Sequence, residues 1–231
     1  MKVLAVIPAR GGSKGIPRKN LSLVGGKPLI QHTIESALDC SKIDKLVVST
    51  EDVEIGNVCA SLGAELVERP DELSQDETLT YPVVEHALSE VEAKTKSTYE
   101  AVLLLQPTTP FRSRSDIEAA IKTLEESDAD SVVSVVDVGA NHPARMKYLS
   151  NDMILVDPPF AEEYENQPRQ ELTPVYIRNG AIYLTKSSVI KEKSSFKGQT
   201  SYGYVMDSSR SINIDTYFDF EMAEALMSLR K

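Results

Sequence analysis

The chain lacks the positive charge of a general nucleic-acid binder and the apolar length of a membrane protein. Its 231 residues include 25 Lys+Arg against 35 Asp+Glu, a formal net charge of −10, whereas nucleic acids and anionic membrane surfaces attract basic faces. No apolar run approaches the ~20 residues of a membrane span. Its two cysteines, Cys40 and Cys59, form no CxxC motif, which favours a reducing compartment. These absences predict a soluble, cytoplasmic protein with neither nucleic acid nor membrane as a partner.

The positive charge that is present concentrates in one segment near the start, RGGSKGIPRKN at residues 10–20. It holds Arg10, Lys14, Arg18 and Lys19, with three glycines and no acid. Four cations without a counter-charge repel one another, so the segment favours an anionic ligand over the alternative of a solvated basic turn. Glycines let backbone N–H groups approach a phosphate, and Arg and Lys add charge-assisted hydrogen bonds. Because neither a Walker A motif nor GxGxxG is present, a P-loop protein or a dinucleotide-dependent dehydrogenase is not predicted.

Short apolar runs alternate with helical patterns along most of the chain. This alternation predicts an α/β fold with a mostly parallel sheet and helices on both faces. The loops that follow parallel strands meet at one edge of such a sheet, where ligands bind. A capping box at 115–118 predicts the start of one further helix. The predicted strands are 3–7, 45–50, 65–69, 101–105, 131–136, 175–184 and 202–206, and the predicted helices include 29–38, 53–62, 79–91 and 217–229.

The pattern changes at about 138–174, where prolines and polar residues dominate and extended pieces are weak. This composition indicates an insertion or arm rather than a second core. The chain is therefore predicted to be a single domain, 1–231, that carries this inserted arm.

The stretch IPARGGSKGIPRKN resembles the signature of the acylneuraminate cytidylyltransferases, the CMP-sialic acid synthetases. VVSTED, ERPDELSQD, LLQPTTPFR, QPRQEL, RNGAIY and SINIDT match in the same order. The resemblance implies a three-layer, Rossmann-like nucleotidyltransferase fold and a homodimer whose arm reaches over the partner's site. The implied reaction joins CTP and a sialic-acid-like sugar, a nonulosonic acid, into a CMP-sugar and pyrophosphate. The anomeric hydroxyl attacks the α-phosphate, which requires positioning and charge neutralisation.

The resemblance also implies roles for individual residues on the nucleotide side. Arg10, Lys19 and Asp215 are the implied catalytic residues, with Lys19 stabilising charge near the α-phosphate. Asn20 and Arg69 match positions that contact the cytosine ring, although a strand-end ion pair is an equal alternative for Arg69. The implied nucleotide-binding residues are Arg10, Gly11, Gly12, Ser13, Lys14, Lys19, Asn20, Arg69 and Thr80.

On the sugar side, the resemblance implies Gln106, Arg169, Asn179 and Tyr183. Gln106 closes the strand at 101–105 and matches a glutamine that contacts the sugar. Arg169 matches an arginine that binds the acyl sugar, because its fork suits a carboxylate; an arm contact with another subunit is the alternative. Tyr183 has the alternative of a core position.

The implied metal site departs from the family pattern. Many members carry Asp-x-Asp, whereas this chain has Asn213, Ile214 and Asp215. Asp215 is then the principal ligand and Asn213 supplies an uncharged oxygen, for Mg²⁺ or another divalent ion. Two alternatives remain: a cytidylyltransferase for another 2-keto sugar acid, such as 3-deoxy-octulosonate, and a nucleotide-binding protein that has lost catalysis. Spacing alone does not discriminate N-acetylneuraminic, legionaminic and pseudaminic acids.

Overall fold

The computed structural model describes residues 1–12 and 15–230, and its elements follow the predicted alternation. The strands are β1 (Val3–Pro8), β2 (Leu23–Val24), β3 (Lys27–Pro28), β4 (Lys45–Thr50), β5 (Glu65–Glu68), β6 (Ala101–Leu104), β7 (Ser131–Asp137), β8 (Tyr148–Leu149), β9 (Leu155–Val156), β10 (Tyr176–Lys186) and β11 (Ser201–Val205). The α-helices are α1 (Leu29–Leu38), α2 (Val53–Ser61), α3 (Thr80–Thr95), α4 (Arg114–Glu126), α5 (Ser187–Lys193) and α6 (Tyr217–Leu229).

The main sheet of the described chain contains seven strands in the order β11-β7-β10-β6-β1-β4-β5. Strands β6, β1, β4 and β5 pair in parallel, as do β7 and β11. Strand β10 runs antiparallel to both of its neighbours. The mostly parallel α/β fold is therefore confirmed. The carboxyl ends of the parallel strands share one edge with the amino end of β10.

Strand β1 shows why the sheet is covered on both faces. Val3, Ala5 and Ile7 pack in a core cluster with side chains of α1, α2 and α4. Leu4 and Val6 face the opposite way and pack with side chains of α3 and with one residue of α5. Because successive residues of a strand point to opposite faces, a continuous apolar run is what a doubly covered strand requires.

The start of α4 differs from the prediction. The capping box is formed by Ser113 and Asp116, whereas the sequence pattern placed it at 115–118. Asp116 is buried and also accepts hydrogen bonds from Tyr204 and Arg210, so the tertiary contacts of this acid favour the earlier cap. The observed box keeps the usual spacing of three residues between the N-cap residue and the acid that bonds back to it.

Segment 138–174 contains a two-stranded antiparallel hairpin of β8 and β9. Its apolar side chains are largely exposed, including Met153 at 73% and Leu155 at 67%. Within 1–12 and 15–230, no helix is long and apolar enough to cross a membrane.

Candidate active site

An open cleft of about 500 Å³ lies at the carboxyl edge of the sheet. It is bordered by the ends of β1, β5 and β6, by the first residue of α3 and by the segment before α6. Residues that are distant in sequence meet there because the parallel strands end at the same edge. The predicted site residues that line the cleft are Arg10, Lys19, Asn20, Arg69, Thr80, Gln106, Asn213 and Asp215.

The first contact that builds the cleft joins Lys19 to the segment before α6. The Lys19 Nζ donates to the carbonyl oxygen of Ile214 at 2.7 Å and lies 3.1 Å from Asp215 Oδ1. Gly15 permits this approach, since a Cβ there would lie 2.5 Å from the backbone oxygen of Asp215. Two implied catalytic residues, 196 positions apart, thus form one ion pair.

Asp215 has a second partner in Asn213. The Asn213 amide nitrogen donates to Asp215 Oδ2, while Asn213 Oδ1 is buried and has no hydrogen-bond partner among the described residues. No group of three or more His, Cys, Asp or Glu in the described chain is placed to hold a metal ion. The chain itself therefore offers one carboxylate and one amide oxygen. This donor set suits a hard cation that takes its other ligands from phosphates and water.

Three described cations of the 10–20 segment, Arg10, Arg18 and Lys19, have acidic partners, which corrects for them the expectation that they lack a counter-charge. Arg10 lies 3.2 Å from Asp76 Oδ1 and also donates to a backbone oxygen. Arg18 pairs with two acids of the α2 amino end, Asp52 and Glu54. These acids come from distant parts of the chain, so no local pattern reveals them. Arg10, Arg18 and Lys19 are therefore paired with acids of the same chain.

Arg69 and Asn20 lie on the wall beside β1 and β4, and both are buried. The Arg69 Nε donates to Ser49 Oγ at 3.2 Å, and its Nη1 lies 3.9 Å from Glu51 Oε2. Burial lowers the pKa of Arg69, and the nearby Glu51 charge partly opposes that shift. The Asn20 Nδ2 donates to the Arg10 carbonyl at 3.1 Å. Arg69 therefore has the strand-end ion pair and also lines the cleft.

The bulge in β10, between Arg178 and Tyr183, lies beside Gln106 of the cleft. Gly180 has φ +78, and a Cβ at this position would lie 2.8 Å from Gln106 Oε1. Asn179 is buried, donates to Ser211 Oγ at 2.9 Å and accepts from Ser134 Oγ at 2.6 Å. Gln106 thus lies in the cleft, whereas the Asn179 side chain makes internal hydrogen bonds that shape the bulge.

Two further predicted sugar contacts, Tyr183 and Arg169, do not line the cleft either. The ring of Tyr183 packs against a core cluster, and its centroid lies 6.1 Å from that of the Phe196 ring. Arg169 is exposed and pairs with Asp137 at 2.8 Å. Within a single chain, the structure therefore brings neither side chain to the cleft.

The glycines and cations that begin the basic segment are described only in part. The Gly11 N–H donates to Glu51 Oε1 at 2.7 Å, and Gly12 is exposed. The predicted phosphate contacts Ser13 and Lys14 lie outside the described residues.

Sequence reasoning missed Glu51, which directly follows β4. Its carboxylate holds the Gly11 backbone and lies beside Arg69, so one acid joins the basic loop to the cleft wall. An acid immediately after a buried strand, at the ligand edge of the sheet, was the available signal.

Arg112 lies on the loop after β6 and makes local contacts. Its guanidinium is buried and donates to Ala181 O at 2.5 Å, Thr109 Oγ1 at 3.1 Å and Thr33 Oγ1 at 2.8 Å. Burial lowers the pKa of Arg112 to about 9. These contacts fasten the loop after β6 to the β10 bulge and to α1.

Comparison with known proteins gives a consistent result. The family described as Cytidylyltransferase matches residues 4–228. The N-acylneuraminate cytidylyltransferase of Streptococcus agalactiae serotype V is 36% identical over 223 residues, 95% of this chain and 52% of that protein. The chain thus spans about half the length of that relative. The CMP-N,N'-diacetyllegionaminic acid synthase of Legionella pneumophila subsp. pneumophila is 36% identical over 235 residues, 100% of this chain and 98% of that protein.

Solved structures agree in fold. A CMP:2-keto-3-deoxy-manno-octonic acid synthetase complexed with CTP superposes with a TM-score of 0.72 at 19% identity, covering 100% of both chains. At this identity the likeness is one of fold, and it matches the predicted Rossmann-like nucleotidyltransferase architecture.

Proposed function

The chain belongs to the cytidylyltransferase family, and we propose that it transfers the CMP group of CTP to a nonulosonic acid, an acylated nine-carbon 2-keto sugar acid. The observation that carries the proposal is the junction of Lys19 with Asp215 in a cleft that also contains Arg10 and Gln106. An N-acylneuraminate and a diacetyllegionaminic acid appear in the names of the two relatives at 36% identity. The acid itself is the part of the proposal that experiment must assign.

In the proposed reaction, the anomeric hydroxyl of the sugar acid attacks the α-phosphorus of CTP. A new oxygen–phosphorus bond forms, the bond between the α-phosphorus and the bridging oxygen breaks, and pyrophosphate leaves with that electron pair. The hydroxyl proton is released. Such a reaction needs stabilisation of the phosphate charge in the transition state more than covalent help. The Lys19 ammonium and the Arg10 guanidinium are the cleft cations suited to this task.

Nucleotide binding is assigned to the basic loop and to the wall of the cleft beside it. Gly11 and Gly12 present backbone to the phosphates, and the predicted contacts Ser13 and Lys14 belong to the same loop. Asn20 and Arg69 are assigned to the cytosine ring, because an amide and a guanidinium together donate to its carbonyl and ring nitrogen and accept from its amino group. Thr80, the first residue of α3, is assigned a hydroxyl contact with the nucleotide.

Asp215 and Asn213 fit a divalent cation, for which Mg²⁺ is the first choice and other divalent ions are possible. The carboxylate and the orphaned amide oxygen of Asn213 are hard oxygen donors, and Mg²⁺ in phosphate-transfer sites commonly has only one or two protein carboxylates. When bound, the ion neutralises charge on the phosphates of CTP. Lys19 and Arg10 then supply the remaining positive charge from the protein.

The sugar acid is assigned to the Gln106 side of the cleft, with the β10 bulge at Asn179 and Gly180 beneath it. Arg169 and Tyr183 remain predicted sugar contacts. In one chain Arg169 is on the arm and away from the cleft, so we propose that it acts on the site of a partner subunit in a homodimer. The exposed apolar side chains of the arm support this assembly, since such patches on a surface mark interfaces.

On this proposal, residues 1–231 form one nucleotidyltransferase domain with an inserted arm at about 138–174. The protein would act in the cytoplasm on CTP and the sugar acid, with no nucleic acid or membrane as a partner.

The reaction class is tested by phosphorus NMR of CTP incubated with protein, Mg²⁺ and a mixture of nonulosonic acids. The expected result is a phosphodiester signal of a CMP-sugar and an equal amount of pyrophosphate. UTP in place of CTP should give neither product, because the cytosine amino group is then missing. Hydrolysis of CTP to CDP and phosphate, without a CMP-sugar, would contradict the proposal.

A further inference from the structure

Both carboxylate oxygens of Asp215 already have donors from the protein itself. Lys19 Nζ lies 3.1 Å from Oδ1, and the Asn213 amide donates to Oδ2. Each donor occupies a lone pair of the carboxylate, and a divalent cation at Asp215 is also repelled by the ammonium group. Both contacts therefore lower the affinity of Asp215 for a metal ion that is not bound to a nucleotide.

Lys19 is the fixed member of this pair. Its side chain is 14% exposed, whereas that of Asp215 is 63% exposed. The ammonium group is also tied to the Ile214 carbonyl at 2.7 Å, so it does not depend on the carboxylate for its position. A partly buried charge is screened less by salt than an exposed charge. The fold therefore holds the Lys19 ammonium group where it opposes the binding of a cation to Asp215.

Asn213 adds to the same effect through its chemistry. A carboxylate at this position would place a second negative charge beside Asp215, and a bound cation would relieve that repulsion. The amide instead donates to Asp215 and leaves its own oxygen buried without a partner among the described residues. One ligand charge is thus replaced by a hydrogen-bond donor that stabilises the metal-free carboxylate.

We propose that Lys19 and Asn213 set the metal affinity of Asp215 so low that the chain holds a divalent cation only together with the nucleotide. Phosphate oxygens of the nucleotide would supply the other ligands of the ion. Lys19 would then pair with a phosphate instead of the Asp215 carboxylate. The metal therefore enters as its complex with CTP. This inference rests on the proposed function, because it takes CTP as the ligand of the cleft.

Manganese binding to the full chain tests the inference without any measurement of catalysis. Free Mn²⁺ is followed by electron paramagnetic resonance during titration, with and without CTP. The wild-type protein should bind Mn²⁺ at least tenfold more weakly without CTP than with it, after subtraction of binding by CTP alone. Without CTP, Lys19→Met and Asn213→Asp should each tighten Mn²⁺ binding about tenfold, because each removes one competitor of the ion.

Lys27→Met is the matched control. Lys27 is an exposed lysine paired with Glu35 at 2.7 Å, and it does not line the cleft. Its loss changes the net charge by the same amount as Lys19→Met. Its Mn²⁺ affinity should remain within about twofold of wild type, because exposed charges at a distance are screened.

Thermal unfolding gives a second readout. Mn²⁺ without CTP should raise the Tm of Asn213→Asp and leave that of the wild type unchanged, because a ligand stabilises only a state that binds it. Tight Mn²⁺ binding by wild type without CTP, or equal affinities in wild type and both variants, would overturn the inference. If a CMP-sugar still forms in that case, the proposed function stands. The expected Mn²⁺ pattern without any CMP-sugar would instead refute the function.

Discussion

The side of the cleft that is proposed to bind the nucleotide, called the nucleotide side, and the arm at 138–174 are built in opposite ways. On the nucleotide side, Arg10, Lys19 and Arg69 each have partners supplied by other parts of the same chain. On the arm, Met153 and Leu155 expose most of their apolar surface. The charged groups of the first region are paired within a single chain, whereas the second region exposes apolar side chains.

This difference separates the two tasks proposed for the chain, which are phosphate transfer and subunit assembly. Phosphate transfer gains from charges that are positioned in advance, because reorganising them during the reaction costs free energy. Large apolar side chains gain free energy by leaving water, at roughly 25 cal/mol per Å² of apolar surface buried. We therefore expect changes on the nucleotide side to alter turnover, and changes on the arm to alter assembly first.

Lys19→Ala should have the largest effect. Loss of a cation that stabilises developing phosphate charge is expected to lower kcat by about 10²–10³. The Tm should change little, because Lys19 contributes no side-chain packing to the core clusters. Steady-state kinetics and calorimetry measure the two effects. Lys27→Ala, at an exposed lysine outside the cleft, serves as the control, and a fall in Tm that accounts for the lost activity would refute a catalytic role.

Leu155→Glu should weaken self-association about 100-fold, because it places a charge in the apolar surface that is proposed to be buried between subunits. Sedimentation velocity over a range of concentrations measures the change. The monomer should keep its far-UV circular dichroism, since Leu155 is already exposed in the single chain. An exposed arm residue that is already charged, Asp152, gives the control variant Asp152→Lys. Unchanged sedimentation of Leu155→Glu would remove the arm from the interface.

Asp116→Asn should lower the free energy of unfolding by about 2 kcal/mol, because charge-assisted hydrogen bonds to Arg210 are lost. Burial alone raises the pKa of Asp116, but hydrogen bonds from Arg210, Ser113 and Tyr204 outweigh it and hold the pKa below its usual value of 3.8. The stabilisation is therefore present above that value and is lost as pH falls through the lower folded-state pKa.

Denaturant unfolding at several pH values tests this result. The difference between wild type and Asp116→Asn should stay constant from pH 7 to about pH 5 and shrink only in stronger acid. A difference that disappears between pH 7 and pH 5 would show that Asp116 is not the group responsible.

Mixed dimers address the relation between the two regions directly. Lys19→Ala and Arg169→Ala should each be nearly inactive as homodimers. When the two chains are coexpressed, random pairing should restore about a quarter of wild-type activity, since half of the dimers then contain one intact composite site. If Arg169 served the cleft of its own chain, both sites of a mixed dimer would be defective and no activity would return.

The sequence predicted the sheet better than it predicted the partners of the site residues. Apolar runs such as 3–7 and 101–105 determine buried strands through local chemistry, and their order determines which loops share an edge. The partners of Arg10 and Lys19 were not predictable in this way. Asp76 and Asp215 become neighbours of these cations only through the tertiary fold, at separations that no local spacing encodes.

The residues predicted to contact the sugar were predictable from the sequence to different extents. Gln106 was predictable because it closes a buried strand at the ligand edge, and it lies in the cleft. Arg169 and Tyr183 were assigned from motif resemblance, and neither reaches the cleft within one chain. A contact that is proposed to form between subunits leaves no trace in the pattern of a single sequence.

The cleft is proposed to join CTP to a nine-carbon 2-keto sugar acid. The most direct measurement is pyrophosphate release from CTP and Mg²⁺ in separate reactions with N-acetylneuraminic, legionaminic, pseudaminic and 3-deoxy-octulosonic acids. Release is expected with at least one nine-carbon acid, and little or none with the eight-carbon acid. Release with 3-deoxy-octulosonic acid alone would contradict the claim, as would no release in any reaction from protein that is shown to bind CTP.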